Sequence, residues 1–190
     1  MYIFSEEKEM KKLIITLVAI CFASVALAGN LEFQAKNVGN PGVWKYTATV
    51  GFGEQLSPKF GWTGFVLSSN TWGEAYVGPT FTPASWITVA TCVGIQNDPQ
   101  VTRFASWYSL NYGQFSAFHV MESGSGTWHK ILISYKTSFG KVQFWNQTAL
   151  GSGPRVEVKL PGQKTMMSAY AGVMFDGKVT NHAVGVIKSF

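Results

Sequence analysis

The residues that could perform catalysis are few and widely spaced. The three histidines are His119, His129 and His182, and no two of them have the i, i+2 or i, i+4 spacing of a metal motif. Cys92 stands in an apolar segment, which is typical of a small buried residue and not of an activated thiol. The sequence also lacks the G-x-S-x-G turn of serine hydrolases. We therefore predict no catalytic residue, no metal site and no cofactor.

Acidic residues favour a structural role over a catalytic one. Glu74 and Glu122 are the acids that lie well inside apolar segments. A charge in a narrow protein interior must be paired or hydrated, because burying it alone is costly. If these segments close a barrel, we expect the two acids to neutralise basic residues across its lumen. The candidate lumen charge cluster consists of Lys45, Glu74, Arg103, Glu122, Lys130 and Lys136.

The segments that carry these residues alternate between apolar and smaller or polar residues with a period of two. Such alternation predicts β-strands, and the clusters of Gly, Pro, Asn and Asp between the segments predict tight turns. Tight turns join neighbouring antiparallel strands, whereas parallel strands need long crossovers. We therefore predict an all-β fold: a single antiparallel up-and-down β-barrel of about 8–10 strands, formed by residues 29–190 as one domain.

The N-terminal residues have the pattern of an export signal. A lysine pair precedes a short apolar run, and the small residues Ala26, Ala28 and Gly29 follow it. This order of charge, apolar run and small residues predicts that residues 1–28 are a cleaved signal peptide. Because Met10 stands directly before the lysine pair, residues 1–9 are a candidate upstream extension, and the start at Met1 or Met10 stays open.

The chain is poor in charge and rich in aromatic residues. Charged residues make up 13% of it, about half of the share in an average soluble protein, and aromatic residues make up 15%. This composition excludes a disordered tail. The formal net charge is +5, but the basic residues are scattered, so no nucleic-acid partner is predicted. Both faces of the alternating segments are short of charge, which favours lipid over water as their surroundings.

Aromatic residues near the ends of the segments suit two kinds of surroundings. Trp44 and Phe52 share one face, as do Phe104 and Tyr112. On a tilted strand the two residues of each pair would differ in height by about 20 Å. That rise approaches the height of a lipid-facing band between two aromatic girdles. Exposed aromatic rings would equally stack on sugars. The candidate interface or ligand-stacking aromatics are Trp44, Phe52, Trp62, Trp72, Trp86, Phe104, Tyr112 and Trp145.

The last segment carries a resemblance to a known class of proteins. The chain ends on Phe190, which shares a face with Val184 and Val186. With the predicted signal peptide and the alternating strands, the sequence resembles small bacterial outer-membrane β-barrels, whose final strand usually ends in an aromatic residue. The resemblance implies that Phe190 is an assembly signal and that the partners are outer-membrane lipid and the barrel-assembly machinery. Lys188 departs from the pattern, because a hydrophobic residue is common there.

Together these patterns predict an exported protein of the bacterial outer membrane with a structural, small-pore or surface role and no evident catalysis. An alternative is a soluble exported β-sandwich or lipocalin-like barrel, periplasmic or extracellular, that binds a carbohydrate or lipid. It stays open because alternation alone does not say which face meets water. A third interpretation is a lipid-modifying barrel enzyme, either a lipid A-modifying hydrolase or an acyltransferase.

Overall fold

The described part of the chain forms one closed antiparallel β-barrel. The computed structural model describes residues 28–39, 42–97, 100–124, 126–161, 166–177 and 179–190. The predicted signal peptide, residues 1–28, lies outside these residues except at its last position. Each strand pairs with the next along the chain, and the last pairs with the first. The strands are β1 (Ala28–Asn37), β2 (Trp44–Gln55), β3 (Phe60–Ser69), β4 (Gly73–Ala84), β5 (Ile87–Asn97), β6 (Gln100–Tyr112), β7 (Phe115–Ser123), β8 (Thr127–Lys136), β9 (Gly140–Gln147), β10 (Gly151–Lys159), β11 (Met167–Phe175) and β12 (Thr180–Ser189).

Short turns connect these strands at both ends of the barrel. We call the end where β1 begins and β12 ends the proximal rim, and the opposite end the distal rim. A two-residue turn joins β6 to β7 at the proximal rim, and Gly113 there has a φ of 60°. Glycine adopts this left-handed conformation without steric cost, so the turn can be this tight. No helix among the described residues is long and apolar enough to cross a membrane.

The described residues form twelve strands, so the predicted number of about 8–10 is too low. The first strand, Ala28–Asn37, carries polar residues at its lumen-facing positions and Leu31, Phe33 and Ala35 at its outward ones, so this short stretch has the period of a strand. Segments with irregular patterns also form complete strands, among them β3 and β9. Their glycines and polar outward residues interrupt the alternation although the backbone pairing continues.

The barrel is apolar outside and polar inside. Along β5 and β6, Ile95 and Phe104 point outward and are 65% and 60% exposed, while Arg103 points into the lumen and is buried. A soluble barrel has the reverse arrangement, with its apolar face inside. The alternative of a soluble β-sandwich or lipocalin-like barrel is therefore wrong. Other large side chains exposed on the outer surface include Phe33, Val77, Val93, Ile133, Phe144 and Val184.

Two apolar clusters fill part of the lumen on different walls. The larger lies against β8–β12 and the smaller against β4–β6, so each narrows the lumen from its own side. Cys92 is a buried member of the smaller cluster, in agreement with its predicted role as a small buried residue. The larger cluster contains Trp145, Leu150, Tyr170, Met174 and Ala183, and the smaller contains Tyr76, Ala90, Cys92 and Ala105.

Candidate functional site in the barrel lumen

Three cavities inside the barrel meet at one pair of side chains. The distal cavity has a volume of about 320 Å³ and reaches the distal rim at Trp72 and Thr127. Two further cavities, of about 610 and 570 Å³, extend toward the proximal rim. Glu32 and Lys130 line all three cavities. This pair of side chains therefore lies between the distal cavity and the two cavities toward the proximal rim.

Glu32 and Lys130 form an ion pair across the lumen. Glu32 lies on β1 and Lys130 on β8, which are five strands apart in a ring of twelve. The Lys130 Nζ lies 3.8 Å from the Glu32 Oε2, and both side chains are largely buried. The Tyr170 hydroxyl donates a 2.5 Å hydrogen bond to the Glu32 Oε1, and the Lys130 Nζ lies 5.5 Å from the centroid of the Trp145 ring. The carboxylate is thus fixed by a second donor, while the lysine rests over an aromatic face.

A second ionic network lies on the wall formed by β4–β7. The Arg103 guanidinium lies 3.6 Å from a Glu74 oxygen and 3.5 Å from a Glu122 oxygen. It also donates hydrogen bonds of 2.7 Å to the Tyr76 hydroxyl and to the Gln96 side-chain oxygen. The Tyr76 hydroxyl lies within 3.3 Å of both carboxylates but has one proton to donate. One arginine therefore compensates two buried acids.

A third group of charges lies on β9–β11. The Arg155 guanidinium stacks 3.6 Å from the centroid of the Tyr170 ring and contacts the Glu157 carboxylate at 3.5 Å. Glu157 also accepts from the Lys141 Nζ at 3.2 Å and from the Ser168 hydroxyl at 2.9 Å. This wall borders the 570 Å³ cavity, which we call the basic cavity because Lys130, Lys141, Arg155 and Lys159 line it against two carboxylates, Glu32 and Glu157.

Two tyrosines reach these networks by lying across a facing glycine. Tyr76 pairs with Gly94, and Tyr170 pairs with Gly185. A Cβ atom at either glycine would collide with the tyrosine ring. Because glycine leaves that space open, each ring lies flat against the neighbouring strand and extends its hydroxyl toward the charged residues. The backbone pairing thus positions the hydroxyls that bind Glu32 and Arg103.

The structure brings together part of the predicted lumen charge cluster. Glu74, Arg103 and Glu122 are in contact with one another. Lys130 also faces the lumen, but its partner is Glu32, which the sequence did not single out. Lys45 and Lys136 lie at the distal and proximal rims, where they are exposed.

Sequence reasoning missed Tyr76, Tyr170 and Arg155 as members of the networks. Alternation along the segment that contains Tyr170 places its side chain on the face opposite Ala169 and Ala171, but it does not identify the partners of the hydroxyl. Gly94 and Gly185 occupy lumen-facing positions of apolar strands, and this placement could have identified the tyrosines that face them. Such glycines leave room for a large side chain on the neighbouring strand.

Most of the predicted aromatic residues lie toward one of the two rims. Exposed outward rings occur near both rims, with Trp44 and Phe104 toward the distal rim and Trp86 and Tyr112 at the proximal rim. Trp145 is the exception, because it points into the lumen and is 0% exposed. The prediction is wrong for this residue: its ring packs in the larger apolar cluster and has no free face. Of the others, Phe52 and Trp62 contact each other with centroids 5.9 Å apart, and Trp72 lines the distal cavity.

The histidines lie away from the lumen. His119 faces outward and meets the Tyr108 ring edge-on, with centroids 5.1 Å apart. The His129 ring contacts the Asn146 side-chain oxygen at 2.7 Å and the Thr148 hydroxyl at 3.1 Å. His182 is exposed near the distal rim. Among the described residues, no three His, Cys, Asp or Glu side chains are arranged to hold a metal ion.

Comparison with known proteins finds similarity of fold only. No family model matches the sequence, and no curated protein is similar to it. Two solved structures of the KdgM porin, one in complex with disordered oligogalacturonate, each align over 85% of this chain and 99% of their own, at 12% identity and a TM-score of 0.56. A triple-mutant porin of Rhodopseudomonas blastica aligns over 86% of this chain and 99% of its own, at 9% identity and a TM-score of 0.37.

The fold and the outer surface together establish the class of the protein. The similarity to KdgM shows the same closed antiparallel β-barrel fold. The apolar outer surface of this barrel is the surface that a lipid-embedded barrel presents to the bilayer. The protein is a small β-barrel of the bacterial outer membrane, and the resemblance and location expected from the sequence are confirmed.

Proposed function

We propose that this barrel is a narrow pore for small polar solutes. The observation that carries the proposal is the row of cavities from the distal to the proximal rim, all three lined by Glu32 and Lys130, inside an outer surface suited to lipid. The lumen walls between the apolar clusters are polar, as the lining of an aqueous path must be. Catalysis has no part in this proposal.

Acidic saccharides are the solute class that the basic cavity fits best. Four cationic side chains line it against two carboxylates, so its field attracts anions. The neighbouring 610 Å³ cavity carries the rings of Trp107 and Trp128, whose faces suit stacking on sugars. The KdgM porin has been solved in complex with oligogalacturonate, an acidic oligosaccharide. These features together support an acidic carbohydrate as the ligand.

Removing two lysines from the basic cavity tests both the pore and its preference. We expect the double variant Lys141→Gln/Lys159→Gln to lose most of the anion preference, because the cavity would then hold two cations against two carboxylates. The measurement is the reversal potential of the refolded full chain in a planar lipid bilayer under a salt gradient. Galacturonate oligomers added to one side should block the wild-type current more strongly than that of the double variant.

The matched control removes a lysine that lies outside the lumen. Lys59 belongs to the exposed turn between β2 and β3, so Lys59→Gln should keep the wild-type reversal potential. An absence of conductance in wild-type protein that has folded would contradict the pore. Equal reversal potentials in the wild type and the double variant would contradict the role of the basic cavity.

In this proposal the N-terminal segment directs export and the C-terminal residue directs assembly. Residues 1–28 direct export and are removed, and Phe190 is recognised by the barrel-assembly machinery. The Phe190 side chain is exposed, and the Lys188 Nζ lies 5.8 Å from its ring centroid. We expect Phe190→Ala to lower the amount of heat-modifiable protein in outer-membrane fractions, whereas Phe190→Tyr should retain it. Equal amounts for both variants would argue against an assembly signal at this position.

A further inference from the structure

We propose that the Glu32–Lys130 ion pair is a gate that closes the path between the distal and proximal cavities. The inference rests on the proposed pore function and adds a means of regulating it. These two residues are shared by all three cavities, so a solute moving between the rims passes them. Their strands lie on nearly opposite sides of the ring, so the pair crosses the lumen and does not merely line one wall.

The two partners of the gate differ in how firmly they are held. Glu32 is fixed, because the Tyr170 hydroxyl donates to one of its oxygens at 2.5 Å. Tyr170 in turn lies across Gly185 and under the Arg155 guanidinium, so this side of the pair is rigid. The Tyr170 hydroxyl also accepts a 2.8 Å hydrogen bond from the Gln34 side chain. The acidic partner therefore stays in place whether or not the gate is closed.

Lys130 is the moving partner. Its ammonium is on a flexible stem and lies 3.8 Å from the Glu32 carboxylate, at the long end of ion-pair distances. The cation–π contact with the Trp145 ring at 5.5 Å is made in this paired state and lets the stem pivot without leaving the ring. Glu122, which lines the distal and 610 Å³ cavities with Lys130, is a second carboxylate in the same region of the lumen. Withdrawal of one side chain thus opens the path without any movement of the barrel backbone.

Single-channel recordings of gate variants test this directly. Glu32→Gln keeps an oxygen that accepts from Tyr170 but removes the attraction for Lys130, and Lys130→Gln removes the charge from the other side. We expect either variant to lower the ratio of closed to open time by about fivefold, the effect of losing a partly buried ion pair. The charge-exchanged double variant, Glu32→Lys with Lys130→Glu, should recover closures toward the wild-type frequency.

The control and the outcomes separate the gate from the pore. Lys45→Gln removes a lysine at the distal rim, which does not line the three cavities, and should keep the wild-type closures. Folding of each variant is verified by its heat-dependent gel mobility. Closures of wild-type duration in both Glu32→Gln and Lys130→Gln would overturn the gate while leaving the pore intact. Absence of current in the wild type and in every folded variant would overturn the pore and, with it, the gate.

Discussion

Replacing Arg103 with methionine should destabilise the barrel by about 3–5 kcal/mol. The arginine is buried and lies within 3.6 Å of two carboxylates, Glu74 and Glu122, which are buried with it. Without it, both carboxylates lose the cation that they contact, and the Gln96 side-chain oxygen loses a 2.7 Å donor. Removal of one member of a buried ionic network costs this much because the remaining charges stay desolvated.

Urea unfolding of the folded barrel in detergent micelles, followed by tryptophan fluorescence, measures this loss. Lys136→Met removes an exposed lysine at the proximal rim and should change the free energy of unfolding by less than about 0.5 kcal/mol. Adding Glu74→Gln and Glu122→Gln to Arg103→Met should restore part of the stability, because neutral amides need no counter-charge. An unchanged unfolding midpoint for Arg103→Met would show that the ionic network does not contribute to the stability of the barrel.

Alternation predicted which face of each strand a residue occupies, but not which lumen residues meet. In β5 and β6 the pairing Val93↔Phe104 lies outside and Gly94↔Arg103 lies inside, as the period of two requires. The face follows from local sequence, because successive side chains point to opposite sides of a strand. The outward direction of the apolar face did not follow from alternation. The scarcity of charged residues on both faces of the strands indicated that the apolar face points outward, toward lipid.

Contacts across the lumen depend on quantities that the pattern does not encode. Glu32 and Lys130 meet because twelve strands close with a particular stagger, and neither strand number nor stagger can be read from alternation. Glu74 and Glu122 were identified as buried acids from their own segments, since a charge inside an apolar strand is conspicuous. Glu32 lies in the first strand between Leu31 and Phe33, one of several polar residues at alternate positions, and its own segment does not say which strand it meets across the lumen.

Trp145 shows the limit of reasoning from residue type. Tryptophan is typical of membrane interfaces, and the predicted position near a strand end suited that role. The residue instead occupies a lumen-facing position of β9, two places after Gln143, where it is fully buried. A barrel of twelve strands has a lumen wide enough to need large side chains as filling, whereas the smaller barrel predicted from the sequence would have had less room.

Placing an arginine on the outer surface should cost about 2–4 kcal/mol where the surface meets the middle of the bilayer. Val93 is suited to this test because it points outward, is 51% exposed and lies near the middle of β5. In Val93→Arg the guanidinium would have to leave water for hydrocarbon or extend toward the interface, and either adjustment lowers the free energy of unfolding. The measurement is urea unfolding of the barrel folded into phospholipid vesicles.

The matched variant places the same side chain in the lumen. Thr49 pairs with Glu32 across β1 and β2 and lines the distal and 610 Å³ cavities, so the arginine of Thr49→Arg would lie in a polar space near a carboxylate. We expect this variant to lose less than about 1 kcal/mol, because the lumen solvates or pairs the charge that lipid cannot. Because the added side chain is the same, the difference in the free energy of unfolding between the two variants reports how the outer face and the lumen face differ in polarity. Equal losses would mean that the outer surface is no less polar an environment than the lumen, and that the apolar exterior does not face lipid.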